Sequence, residues 1–278
     1  MESLLSEVVS YVLRESGEDI SKYDDSFLLK SIEKRIITLG VHSKREYLSL
    51  LISSKEECLA LNGSLTVCYS EFFRNSLTFA YLEKLVLPAL FSFKNRLKQK
   101  EIRIWSAACA SGQEAYSLAI LCEELIATST SVLSYRIIAT DIDPEQVEKA
   151  EKGVYSTDMV GNINLKRLHN YFVKQGDNYL ISRKIKKRVF VSQFDLLSKD
   201  AYCPPSSIFG DFDIVFCSNL LFYFKPLYRN SIIRKISKCI SADAYLVTGE
   251  TERAFMLEFG FTEVFPNSAI FQMTKKDK

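Results

Sequence analysis

Leu5, Val8, Val9 and Val12 recur at helical spacing and the run stops at Gly17, a pattern that predicts an amphipathic first helix closed by a glycine. Leu28, Leu29, Ile32 and Ile36 form a second stripe, with Asp25 or Ser26 as its N-cap and Gly40 at its end. Two S-x-x-E boxes, Ser43 with Glu46 and Ser54 with Glu57, start a third and a fourth helix. Residues 1–66 therefore read as a small all-α domain. Past Asn62-Gly63-Ser64 the pattern changes, and from residue 101 short β-branched runs alternate with longer helical ones. Strands are expected over 101–107, 135–140, 188–193, 213–217 and 244–248, and helices over 114–126, near Pro144 and over 225–240. This alternation implies an α/β, doubly wound, mostly parallel sheet over residues 67–278, with ligands beyond the carboxyl ends of its strands. One stretch interrupts it. Aromatic runs flanking Gly176-Asp177-Asn178 predict a small antiparallel β insertion at about 168–190.

Composition narrows the function classes. The 278 residues carry 36 Lys+Arg against 34 Asp+Glu, a net charge of +2, and two His. The chain thus lacks the field of a dedicated nucleic-acid binder, and two histidines cannot build a His-rich metal site. The longest apolar run, Leu85 to Phe91, is interrupted by Pro88 and falls short of the roughly 20 residues needed to cross a bilayer. The N-terminus carries Glu2 and Glu7 and no basic region of a signal peptide. Seven cysteines, odd in number and without a C-x-x-C, argue against a disulfide framework or zinc site and for the cytoplasm. The near-neutral balance is itself a cancellation. Between Lys166 and Arg188 stand eight basic residues and the single acid Asp177. Lys30, Lys34 and Arg35 add a basic helix face in the N-terminal domain. Both groups are candidate surfaces for an acidic protein partner.

The first strand-to-helix crossing reads Trp105-Ser106-Ala107-Ala108-Cys109-Ala110-Ser111-Gly112-Gln113-Glu114-Ala115-Tyr116-Ser117. Small residues from Ala107 to Gly112 permit a tight turn and close approach of a ligand to the helix N-terminus. A single glycine there is not the G-x-G-x-x-G of nicotinamide and flavin enzymes. The second strand ends in Ala139-Thr140-Asp141-Ile142-Asp143-Pro144. Asp141 stands at its tip, placed to accept hydrogen bonds from two ribose hydroxyls, and Asp143 reads as a helix cap. The two features together indicate an adenosine-type ligand.

Two further blocks, Tyr69-Ser70-Glu71-Phe72-Phe73-Arg74-Asn75 and Phe212-Asp213-Ile214-Val215-Phe216-Cys217-Ser218-Asn219-Leu220-Leu221-Phe222-Tyr223-Phe224, complete an ordered set of four. In order and spacing the set resembles the CheR-type chemotaxis receptor protein-glutamate O-methyltransferases, over nearly the whole chain. The resemblance implies a seven-stranded class I fold that binds S-adenosylmethionine and releases S-adenosylhomocysteine. It places cofactor contacts at Ser70, Arg74, Glu114, Asp141, Asp195, Leu196, Cys217, Ser218 and Asn219, and sets Arg74 and Tyr223 beside the reacting methyl. It further implies a three-stranded insertion that meets the receptor. The implied partner is the cytoplasmic helices of chemotaxis receptors, approached by a monomer that neither binds nucleic acid nor inserts in the membrane. Departures from the family pattern are also present. Serine replaces its arginine at Ser218, Gln113-Glu114-Ala115 replaces E-E-P, and Gly249-Glu250-Thr251-Glu252 replaces G-H-S-E. The lost arginine removes a charge-assisted contact of about 1–3 kcal/mol.

Methyl transfer to a carboxylate needs no general base, because a free glutamate, with a pKa of about 4.3, is already ionised. His42 and His169 accordingly lie outside every block. Arg74 is suited to orienting the acceptor carboxylate, and Phe72, Phe73 or Tyr223 to facing the sulfonium. Two alternatives stay open: methylation of a different protein or a small acid, and a non-catalytic sensor or scaffold.

Overall fold

A computed structural model describes residues 2–66, 68–128, 133–207 and 210–273. The chain divides into two compact units, Met1–Val67 with Phe222–Asn230, and Cys68–Leu221 with Ser231–Lys278.

The first unit is built from α1 (Glu2–Ser16), α2 (Asp25–Leu39), α3 (Lys44–Ser53) and α4 (Lys55–Ser64). Their apolar stripes meet in a core of Val8, Val12, Leu28, Ile32, Tyr47, Leu51 and Leu61. The cap of α2 is Asp24 rather than Asp25 or Ser26. Its extended backbone lets Oδ1 accept the Ser26 N–H at 2.9 Å, whereas Asp25 is already inside the first turn. Both serine boxes form their forward bond, Ser43 Oγ accepting from Glu46 N and Ser54 Oγ from Glu57 N, each at 3.1 Å. The return bonds go elsewhere. Glu46 accepts from His42 N, and Glu57 turns inward to accept from Tyr47 Oη and Arg35 Nε, each at 2.9 Å. Arg35 is thereby drawn away from Lys30 and Lys34 into a part-buried ion pair, so the expected basic face of α2 loses one of its three charges.

In the second unit, α5 (Ser76–Tyr81) continues through a π-helical turn, Leu82–Val86, into α6 (Leu87–Arg96). The continuous run Ser76–Arg96 is long and apolar enough to cross a membrane by length and composition, which the short apolar run around Pro88 did not suggest. Here it serves the core, burying Phe79, Leu82, Val86, Leu87, Leu90 and Phe91. Pro88 sits in the first turn of α6, directly after the π-helical turn.

There follow β1 (Glu101–Ala107), α7 (Gln113–Thr128), β2 (Ser134–Asp141), α8 (Pro144–Lys152), β3 (Val154–Ser156), α9 (Leu165–Tyr171), β4 (Phe172–Gln175) and β5 (Asn178–Ile181). Then come α10 (Arg183–Lys186), β6 (Val189–Gln193), β7 (Phe212–Phe216), α11 (Pro226–Cys239), β8 (Ile240–Val247), α12 (Arg253–Glu258), β9 (Phe261–Glu263) and β10 (Ile270–Met273). Seven strands form one sheet in the order β6-β2-β1-β7-β8-β10-β9, in which β10 runs antiparallel to both β8 and β9. This is the doubly wound, mostly parallel seven-stranded fold expected. Strand order reverses between β1 and β7, and the ligand crevice of such sheets lies at that switch, beyond the carboxyl ends. All five residues of β7 are buried, as a central parallel strand covered on both faces requires.

The small sheet is three-stranded, in the order β3-β5-β4, and begins earlier than residue 168. Val154 pairs with Leu180, 26 positions further along the chain, a contact that no local pattern announces. The basic segment is also less free than its composition suggested. Arg167 pairs with Glu83 at 2.6 Å and Glu124 at 2.7 Å, Lys184 pairs with Glu123 at 2.6 Å, and the Arg188 guanidinium lies 5.5 Å from the centre of the Tyr135 ring. Lys186 donates to Lys152 O at 3.0 Å, and Lys166, Lys174, Arg183 and Lys187 remain as exposed charges.

Candidate cofactor and methyl-transfer site

The turn between β1 and α7 is held in an unusual conformation, with positive φ at Ala108 (60°), Ala110 (47°) and Gly112 (92°). Only glycine adopts such values cheaply, and an added Cβ at Gly112 would also lie 3.0 Å from Ala150 Cβ. Surrounding bonds hold the strain: Cys109 N donates to Thr140 O at 2.8 Å and Tyr155 Oη to Ser111 O at 2.7 Å. Positive φ recurs at Phe73, Asn75 and Asn219, so among the described residues five of the nine such non-glycine positions fall in three of the sequence blocks. Concentrated strain of this kind marks sites where the surroundings over-determine the backbone.

Asp141 stands at the end of β2. Its Oδ2 accepts from Ala110 N at 2.8 Å and its Oδ1 from Asp143 N at 3.0 Å, so it organises the β1–α7 turn. A carboxylate has roughly four lone-pair directions, which leaves capacity for a diol. Burial raises its pKa and these two N–H bonds oppose the rise. Asp143 caps α8, accepting Glu145 N at 2.8 Å.

Glu114, in the first turn of α7, accepts from Ser106 Oγ on β1 at 2.8 Å. Burial pushes its carboxyl up to about 8, against the opposing pull of the Ser106 bond and of Arg74. Its neighbour Gln113 points away and accepts from Ser111 Oγ at 2.9 Å.

The Ser70–Arg74 block divides by side chain. Phe72 is fully buried and packs edge-on against Tyr155 and Phe172, with centroids 4.8 and 5.4 Å apart, so it is a core residue and not a face for a sulfonium. Phe73 is fixed by its N–H to Ser117 Oγ at 3.0 Å and lies with Ser70 at partial exposure. Arg74 stacks over Tyr69 at 5.2 Å and, among the described residues, pairs with no carboxylate. It borders a cavity of about 440 Å³ together with Glu71, Phe73, Asn75, Asn162 and Arg167.

After β6, Asp195 Oδ1 accepts from Leu197 N at 2.7 Å, turning the chain so that Leu196 is buried. After β7, Cys217 is fully buried and burial pushes its thiol pKa well up, which makes it a packing residue rather than a nucleophile. Ser218 Oγ donates to its neighbour, Asn219 Oδ1, at 3.5 Å. Asn219, Leu220, Leu221 and Gly249 each donate a backbone N–H to the carboxylate of Glu252, at 2.9, 2.8, 2.6 and 2.7 Å. Glu252 thus joins the loop after β7 to the one after β8. Gly249 makes room for it, since a Cβ there would meet Asn219 Nδ2 at 2.6 Å. Tyr223 belongs to the helical unit. Its ring lies 4.7 Å from that of Phe27, its carbonyl accepts Asp24 N at 2.8 Å, and Phe224 stacks on Tyr23.

The strand ends therefore present a carboxylate for a diol, a desolvated carboxyl suited to an ammonium group, and a turn with no room for a side chain at its glycine. These residues fit an adenosyl amino acid. Residues 69–269 match the family described as CheR methyltransferase, SAM binding domain. The chain belongs to the CheR methyltransferase family. It is accordingly an S-adenosylmethionine-dependent methyltransferase. It is 31% identical to a chemotaxis protein methyltransferase of Listeria monocytogenes, over 87% of each chain. It is 28% identical to one of Borreliella burgdorferi, over 89% of this chain and 87% of that one. It is 27% identical to one of Escherichia coli, over 90% and 84% respectively.

In this CheR-family enzyme, sequence reasoning left Glu252 without a role, although the residue closes a motif. Its signal was an acidic residue two places after a charged Glu250 in a run otherwise suited to a loop, and only the folded chain shows which of the two is buried.

Glu114 is expected to make cofactor binding pH-dependent. Its folded pKa of about 8 lies above the ordinary 4.5, so the stability it lends is present in full below 4.5 and is lost as pH rises through 8. An ammonium partner demands the ionised form. Below pH 8, binding must therefore displace a proton, and affinity for S-adenosylhomocysteine is expected to fall by up to about tenfold per pH unit. Calorimetry between pH 6 and 9 on the wild type and Glu114→Gln isolates the effect. An identical pH profile in the two proteins contradicts it.

Proposed function

We propose that this CheR-family methyltransferase esterifies glutamate side chains on the cytoplasmic helices of chemotaxis receptors, giving glutamate 5-O-methyl esters. It acts in the cytoplasm as a monomer, with residues 1–66 as an accessory helical domain and 67–278 as the catalytic one. The observation that carries the reading is Arg74, a guanidinium without a carboxylate partner among the described residues, at the edge of a cavity and near enough to Glu114 to lower its pKa. An unpaired guanidinium beside a cofactor site suits a carboxylate supplied by the substrate.

S-adenosylmethionine supplies an electrophilic methyl group. Of the residues around it, Asp141 would hold the ribose hydroxyls, Glu114 the ammonium group, and Leu196 the apolar surroundings of the adenine, with Ser70, Asp195, Cys217, Ser218 and Asn219 shaping the remaining walls. Arg74 orients the incoming carboxylate and Phe73 limits water around it. Removing water from a strongly solvated nucleophile and aligning it are the main demands of an in-line displacement. Proton transfer is not needed, which agrees with the exposed positions of His42 and His169. Arg74 stabilises the carboxylate as well as positioning it, so its contribution is alignment, and loss of charge on esterification favours release. Tyr223 is proposed as a second residue beside the methyl.

A radiolabelled methyl assay on receptor-containing membranes tests the reading. Base-labile label on the receptor is expected; cofactor binding with no transfer, or label only on small acids, would overturn it. The exposed cations Lys30, Lys34, Lys166, Lys174, Arg183 and Lys187 are proposed to attract the acidic receptor surface. The methylation rate should fall as salt rises above physiological strength, where the Debye length drops below about 8 Å. A rate unaffected by salt rules that attraction out.

A further inference from the structure

Cys203 and Cys239 lie 36 positions apart in the chain, yet their sulfurs are 2.8 Å from each other. Both thiols are free. That separation is well inside the contact distance of two sulfurs, and less than about 1 Å of movement reaches the disulfide length of about 2.05 Å. The surroundings hold the pair in place. Cys239 Sγ donates to Tyr202 O at 3.1 Å, and a Cβ on Gly210, which has φ 65°, would lie 3.1 Å from Cys203 Sγ and 3.0 Å from Cys239 O. Neither cysteine has a part in the cofactor site.

The pair also sits where it can matter. Lys235 and Cys239 stand four residues apart on one face of α11, and side chains at that spacing are neighbours. Lys235 Nζ donates to the carbonyls of Ser198 at 2.5 Å and Asp195 at 3.5 Å, while Cys239 holds Tyr202 and Cys203. The segment from Asp195 to Cys203 therefore rests on this one helix face, and it begins with the two residues assigned to the adenine side of the site.

We infer that Cys203 and Cys239 form a redox-sensitive dithiol that closes to a disulfide and, once closed, pins the 195–203 segment to α11. The two cysteines have different roles. Cys203 is partly exposed and is the entry point, whereas Cys239 is fully buried and its thiol pKa is raised by burial. The oxidant is a low-molecular-weight disulfide of the glutathione type. The Cys203 thiolate attacks one of its sulfurs, a mixed disulfide forms and one small thiol leaves. The Cys239 thiolate then attacks Cys203 Sγ, the protein disulfide forms and the second small thiol leaves. Two protein thiols and one small disulfide become one protein disulfide and two small thiols. Disulfides in reducing compartments are characteristically sensing or transient devices of this sort. The coupling to cofactor binding rests on the site assignment above, whereas formation of the bond does not.

The full-length protein, titrated with oxidised and reduced glutathione, provides the test. Intact mass should drop by two hydrogens, and peptide mapping should find Cys203 joined to Cys239. The oxidised protein should melt higher by roughly 5–10 °C, because the cross-link restricts the unfolded chain. Cys203→Ser and Cys239→Ser should each abolish the mass change and the shift, and Cys122→Ser should abolish neither. Persistent glutathione on Cys203, pairing among other cysteines, or two intact thiols under oxidising conditions would overturn the inference. Calorimetry with S-adenosylhomocysteine reads the coupling. The oxidised form should bind a few-fold tighter, since a pre-ordered segment loses less entropy on binding. Equal affinities overturn the coupling, and absence of binding by both forms overturns the cofactor assignment while the disulfide result stands.

Discussion

Arg74→Ala is expected to slow methyl transfer by about 100-fold or more, the size of effect that misalignment of a reacting group produces. The fold should hardly notice the change. Among the described residues Arg74 pairs with no carboxylate, and the stacking over Tyr69 at 5.2 Å is worth only about 0.5–1 kcal/mol at a half-exposed site. Thermal melts within a few degrees of the wild type should thus accompany the loss of turnover. Arg74→Lys sharpens the test, since an ammonium keeps the charge but not the planar fork that grips both oxygens of a carboxylate. It should recover part of the activity and no more. Initial rates with receptor-containing membranes, measured beside S-adenosylhomocysteine affinity, separate loss of alignment from loss of cofactor. Activity near the wild type in Arg74→Ala would show that the carboxylate is held by something else.

Glu252→Ala should have the opposite balance, with a large loss of stability followed by loss of cofactor binding. Glu252 is fully buried and accepts four backbone N–H groups. Burial raises its pKa while those four bonds counter the rise. Alanine leaves the donors without a partner, and each buried unsatisfied group costs about 1–3 kcal/mol before relaxation or entering water. A net loss of about 3–5 kcal/mol corresponds to a fall in melting temperature of roughly 10 °C or more. The loop Asn219–Leu221 would then lose its anchor to Gly249. Glu252→Gln is the finer probe. Its carbonyl oxygen can still accept, but its amide NH₂ faces backbone donors where an acceptor is required, so it should fall between alanine and the wild type. A Glu252→Ala protein that melts within 2 °C of the wild type and binds S-adenosylhomocysteine normally would remove the anchoring role. Together the two substitutions distinguish a group that meets substrate from one that shapes the site.

Two kinds of information contributed unequally to this picture. Features set by neighbours in the chain were legible from the outset. The stripe of α2, the serine caps of α3 and α4, the α/β alternation of the main sheet and the cap at Asp143 each depend on side chains within a few positions, and periodicity records them. Even there the reach was limited. Glu46 and Glu57 both look like reciprocal capping residues, but Glu57 is taken into the core by Arg35 and Tyr47 because a part-buried guanidinium needs a carboxylate more than a serine N–H does.

Elsewhere the decisive partner is remote. Asp141 was legible as a carboxylate at a strand end; that it also fastens Ala110 depends on the parallel pairing of β1 with β2. Phe72 and Phe73 are indistinguishable as adjacent aromatics, yet one is buried against Tyr155 and Phe172 and the other borders a cavity. The charges of the basic insertion could be counted, but only folding reveals that Arg167 and Lys184 are engaged by Glu83, Glu124 and Glu123.

By itself, the sequence determined the family, the alternating elements, and the residue types available at the ends of the strands, because ordered motifs and local periodicity survive in one dimension. The tertiary structure decided which of those residues are free to act. Burial, the satisfaction of backbone N–H groups and the meeting of Cys203 with Cys239 depend on contacts between positions far apart in the chain, and the energies of those contacts are set by the solvent and the partners that folding removes or supplies.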